Sequence, residues 1–176
     1  MTRRLAFAVF AISAALFGQD FKLPAFDRFP ATPAFVGKPA PVVFVQKRHR
    51  QYRTAIREAV AKGPNFAGHY TIARWGCGAG CIGGAVVDLK TGTVLDLPFQ
   101  VVVSGIAGLS YADGTDMSSP SFEPIEFRAD SRLLIVRGCP DEDLKRCGLY
   151  AFEWTDPKFR ILSQQPAKQL DGAGKN

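Results

Sequence analysis

The sequence predicts an α+β fold: one amphipathic helix packed on a mostly antiparallel sheet of roughly six to eight strands. Three observations predict it. Only residues 46–62 place apolar side chains at convincing helical spacing. From His69 onward the chain turns to short β-branched and aromatic runs separated by turn residues. No βαβ pattern interrupts those runs, so their pairing is expected to be antiparallel.

The elements follow in chain order. Residues 1–18, MTRRLAFAVFAISAALFG, set Arg3 and Arg4 before an apolar core from Leu5 to Phe17. That order is the n-region and h-region of a secretory signal peptide, with cleavage expected after Gly18 or after a nearby alanine such as Ala15. The core is too short for a comfortable membrane span, and no span is expected once it is removed. A lipoprotein box would need a cysteine near Gln19, yet the first cysteine is Cys77. Residues 19–41 carry Pro24, Pro30, Pro33, Pro39 and Pro41, which predicts an extended, weakly ordered arm. Residues 42–45, VVFV, read as a short strand docking that arm on the core.

In the helix, Tyr52, Ile56, Ala59 and Val60 share one face, and Gly63-Pro64 stops it. Arg50, Arg53 and Arg57 share another face. Lys47 and Arg48 crowd the N-terminal end, where the helix dipole disfavours cations. Such a basic face is either solvated or a contact for an anion.

Beyond the helix, residues 69–75 fit a strand, and 84–88 with 93–95 fit a hairpin in which Gly92 supplies a left-handed turn residue. Residues 99–104 are a further apolar run, and 105–122 read as a long loop. Residues 133–136, LLIV, suggest a central strand covered on both faces, preceded by an alternating strand at 125–128. Residues 149–154 and 159–162 flank a turn at Asp156-Pro157, and residues 164–176 read as a polar, frayed tail. Residues 42–163 are thus expected to form a single domain.

The chain has 176 residues, of which 47% are hydrophobic and 22% charged, a composition too apolar for disorder. Its net charge of +6 tips toward anionic partners without the concentration of charge that marks a nucleic-acid binder. In an exported chain, four cysteines mean disulfides. The two local pairings, Cys77 with Cys81 and Cys139 with Cys147, are favoured because each brackets a turn-rich segment.

The densest chemistry lies in residues 63–84, GPNFAGHYTIARWGCGAGCIGG. The glycines there permit positive φ and close approach of backbone to a partner. Four readings compete. A Cys77–Cys81 disulfide clamps a tight loop, whose Trp75, Gly76, Gly78 and Gly80 form a candidate binding loop. Alternatively, Cys77, Cys81 and His69 hold a soft metal, Cu or Zn. A third reading makes either cysteine a reactive thiol with His69 as base. The last is a nest of glycine amides for an anion, although no Lys-Ser or Lys-Thr follows the glycines. No G-x-S-x-G, S-x-x-K or H-E-x-x-H is present, which leaves common hydrolase chemistry unsupported.

The runs GPNFAGHY, WGCGAGC, VVDLKTG and DSRLLIVRG resemble a family of small exported bacterial proteins with no assigned activity. The resemblance covers residues 52–162 and implies export and one shared domain, with nothing on mechanism. The expectation is a periplasmic or secreted, disulfide-stapled module that binds rather than catalyses. Its partner is expected to be an envelope protein or an anionic envelope component, not nucleic acid. The alternative is a metal-handling or thiol-active protein centred on Cys77, Cys81 and His69.

Overall fold

A computed structural model describes residues 22–104, 106, 108–115 and 122–169. The expected signal peptide and residues 170–176 of the expected tail lie outside the described residues. The fold is α+β. Two short helices, α1 (Lys47–Gln51) and α2 (Arg53–Ala61), precede β1 (Tyr70–Gly78), β2 (Cys81–Asp88) and β3 (Val94–Val103). Then come β4 (Leu109–Ser110), β5 (Ile125–Phe127), β6 (Leu133–Pro140), β7 (Gly148–Trp154), β8 (Phe159–Pro166) and β9 (Lys168–Gln169).

The main sheet runs β1-β2-β3-β6-β7-β8, with β5 also on β6, and every strand pairing is antiparallel. β3 meets β6 only at Val102 opposite Pro140 and Val103 opposite Cys139. The sheet therefore divides into two halves joined at that short seam. Their inner faces close on one core: Ile72, Val86, Leu97 and Val102 from one half meet Leu134, Val136, Phe152 and Trp154 from the other. Alternation puts Leu133, Ile135, Leu149 and Ala151 on the outer face, which Phe26 and Tyr111 cover. β6 is buried along its whole length, as its unbroken apolar run predicts. The outer face of β1-β2-β3 takes Ile56 and Val60 of α2, the helix face expected from periodicity.

Four local expectations are corrected. The single helix is broken at Tyr52, whose φ of −105° and ψ of 23° leave the helical range. Apart from a 3₁₀ turn at Phe26–Arg28, the arm is extended, yet it is firmly held: Ala31, Phe35 and Ala40 donate backbone hydrogen bonds to Asp130, Gly68 and Leu89. Phe26 is buried, and the Ser131 hydroxyl donates to the Phe26 carbonyl at 2.8 Å. The arm covers outer apolar faces that would otherwise meet water, which explains its order despite five prolines. The runs at 93–95 and 99–104 merge into one strand, β3. Finally, the polar tail does not begin at residue 164. β8 continues to Pro166 because its backbone pairs with β7 as far as Gly148, and β9 then pairs with β4 inside the expected long loop.

Both local disulfides form, Cys77–Cys81 and Cys139–Cys147. Such bonds persist in oxidising compartments outside the cytoplasm. Among the described residues no helix is long and apolar enough to cross a membrane.

Candidate functional site

The ladder between β2 and β3 opens at one point. Gly83 pairs with Val101 and Ala85 with Asp96, so the single residue Gly84 faces the four residues 97–100. Pro98 lies among those four and has no N–H to give to a ladder. The bulged strand leaves a cleft of about 470 Å³, floored by Gly84, Leu97 and Phe99. A Cβ on Gly84 would stand 2.6 Å from Leu97 Cδ1 and 2.9 Å from the Ala73 carbonyl oxygen. Only glycine lets the strands sit this close around the opening.

One wall comes from α1 and the break that follows it, which present Arg48, His49, Gln51 and Tyr52. Tyr52 stacks on Trp75 of β1 with ring centroids 4.2 Å apart and planes 10° from parallel. Trp75 lies opposite Gly83, where a Cβ would stand 2.3 Å from the indole Nε1. The glycine therefore makes the seat on which the indole rests, and Tyr52 leaves the helix to cover its face. The far rim carries Gln100 and Asp141. Asp141 accepts from the Gln100 N–H at 2.8 Å, and its own N–H donates to the Val101 carbonyl at 2.8 Å. It sits within the loop closed by Cys139–Cys147.

Asp96 organises the charges. It accepts from Gln46 Nε2 at 3.0 Å, pairs closely with Arg48, and lies 3.0 Å from Nε2 of His49. Burial pushes the Asp96 carboxyl up, but the hydrogen bonds and charges of its partners outweigh this and hold it below the usual range. His49 is 2% exposed. Burial lowers its pKa, the charge of Arg48 adds to this, and the pull of Asp96 does not restore it. The imidazole is therefore neutral at neutral pH and gives its Nε2–H to Asp96, while Nδ1 is buried without a partner. Among the described residues lining the cleft there is no Ser, Thr or Cys to serve as a nucleophile. The arrangement suits holding a ligand: stacked aromatics, an apolar floor and a polar rim.

The expected site residues fall in three places. Trp75 lines the cleft, while Gly76, Cys77, Gly78 and Gly80 form the exposed tip of the β1–β2 hairpin beside it. Arg50, Arg53 and Arg57 are exposed on the helices. Arg50 donates to the Phe44 carbonyl at 3.3 Å, and Arg57 stands 5.6 Å over the Phe44 ring, so both rest on the 42–45 segment that follows the arm. His69 is not brought to the cysteines. It precedes β1, with Nε2 3.7 Å from Asp88 Oδ1, whereas Cys77 lies eight residues on. Eight extended residues span on the order of 25 Å. The two sulfurs are bonded to each other, and no group of three or more metal-binding side chains occurs among the described residues.

Nothing in the sequence pattern singles out Asp96, Gln100, Asp141 or His49 as cleft residues. Pro98 inside an apolar run and the Gly83-Gly84 pair were the available signals, since each marks an interrupted ladder. Compared with known protein families, curated proteins and solved structures, the chain matches none.

Proposed function

We propose that this chain is an exported, disulfide-stapled binding module of the bacterial cell envelope, and that it holds its ligand in the cleft at the β3 bulge. The Tyr52–Trp75 stack beside an opening in the sheet carries the reading. Aromatic pairs built into a half-exposed wall, next to unengaged polar groups, are the composition of a recognition site. The signal-like residues 1–18 and the two disulfides support a periplasmic or secreted location. The exposed hairpin tip and the Arg50/Arg53/Arg57 face flank the helix–hairpin wall and extend the contact surface toward an anionic or protein partner.

Tryptophan emission tests this. The chain has two tryptophans: Trp154 is 2% exposed in the core, and Trp75 is half-buried at the cleft. Soluble fractions of bacterial envelope, separated into glycan, lipid and protein, are titrated against the folded chain. One fraction is expected to shift emission saturably in the wild type and not in Trp75→Phe, which keeps an aromatic ring against Tyr52. No saturable shift from any fraction would overturn the reading.

A further inference from the structure

We infer that the ligand of the cleft is a neutral, polyhydroxylated unit: a saccharide of an envelope glycan. The inference rests on the binding reading above and names its substrate class.

The charge arrangement excludes the other classes of small ligand. An anion needs an unpaired cation, but Arg48 is spent on Asp96 and His49 is neutral. A metal ion needs converging unpaired carboxylates. Asp96 already receives Gln46, Arg48 and His49, while Asp141 holds the Gln100 N–H and pairs with Arg146 at 3.4 Å. A purely apolar ligand would strand the polar rim without partners.

What remains free is of a different kind. The side-chain amides of Gln51 and Gln100 are exposed and make no hydrogen bond among the described residues. Each carries both donors and an acceptor, matching hydroxyl groups, which also do both. Behind them the cleft is lined by Tyr52, Pro98 and Val101 over the nearly buried Leu97 and Phe99, while the indole of Trp75, seated on Gly83 and covered by Tyr52, offers only its edge. A sugar presents one apolar face and a rim of hydroxyls; this cleft presents the complement of both. At about 470 Å³ it falls within the size range of small-ligand sites.

The test uses three neutral probes: the trimer of N-acetylglucosamine, cellotriose and maltotriose. Saturation-transfer NMR on the wild-type chain reports binding directly. At least one trimer is expected to bind at millimolar concentration or better. Gln51→Ala and Gln100→Ala are each expected to weaken it about 3- to 10-fold, the worth of one hydrogen bond. Because both side chains are exposed and unbonded, circular dichroism of these variants is expected to match the wild type. Absence of transfer to all three trimers would overturn the saccharide assignment, as would binding indifferent to both substitutions. If the trimers fail while an envelope lipid or protein fraction still shifts Trp75 emission, the saccharide falls and the binding reading stands. If neither produces a response, both fall.

Discussion

The indole Nε1 of Trp75 stands 2.3 Å from where a side-chain carbon on Gly83 would lie. These two residues face each other across β1 and β2, and the absence of a side chain on one positions the ring of the other. Gly83→Ala must therefore push the indole off its seat and disturb its stack on Tyr52. The expected cost is about 1–3 kcal/mol of stability, as for other overpacked sites. Urea unfolding measures it, and emission from Trp75 should change in the folded variant.

His49 makes stability depend on pH. Its pKa is lowered from 6.5 in the folded chain, chiefly by burial, so the native state binds a proton less readily than the unfolded state does. The stabilisation is present above pH 6.5 and is lost as pH falls from there through the lower folded value. Asp96, also lowered, adds a loss of the same sign at more acid pH, below its unfolded value of 3.8. His69 is lowered too, by burial and by Lys90, and acts in the same window as His49. Denaturant midpoints should fall between pH 7 and pH 5 (roughly the histidine window). They should fall less steeply in His49→Gln, which leaves the share of His69. Identical slopes would remove His49 from this role.

The two disulfides should differ in access. Cys77 lies on the exposed hairpin tip, whereas Cys139 is fully buried. Mild reductant followed by alkylation and intact mass should label Cys77 and Cys81 before Cys139 and Cys147. Replacing Cys139 and Cys147 by alanine, a closure with sequence separation 8, should cost about 2–3 kcal/mol from lost chain constraint. It should also loosen Asp141 and with it the far rim of the cleft.

Arg137 is 6% exposed and reaches two carboxylates, Asp113 at 2.8 Å and Glu126 at 3.1 Å. Asp113 is almost as buried as Arg137, and Glu126 is more open. Arg137→Met should cost about 3–5 kcal/mol, because it strands the Asp113 charge. Glu126→Gln should cost under about 1 kcal/mol, as expected for the more solvated partner. Equal costs in urea unfolding would contradict the ranking.

Much of the fold was legible in the residues. The LLIV run at 133–136 announced a strand covered on both faces, and Ile56 with Val60 announced the buried helix face. Cysteine spacing announced both bridges. What stayed hidden depends on contacts distant in sequence. The arm reads as loose because prolines bar regular structure, yet its order comes from Ser131 and the outer sheet face more than a hundred residues away. The strand beyond Ser163 reads as tail because its side chains are polar, whereas backbone pairing with β7 decides its state. The cleft was half legible: Trp75 and the glycines stood out, but Asp96 and His49 meet only after β3 folds beside α1.

Ligand is expected to enter the cleft between α1 and the β3 bulge. Amide chemical-shift mapping on titration with the envelope fraction that shifts Trp75 emission locates where ligand binds. Shifts are expected to concentrate at Tyr52, Trp75, Gly84, Gln100 and Asp141 and to saturate together. Shifts confined to the opposite outer face, around Phe26 and Tyr111, would contradict entry at the cleft, as would no shift in the cleft residues at saturation.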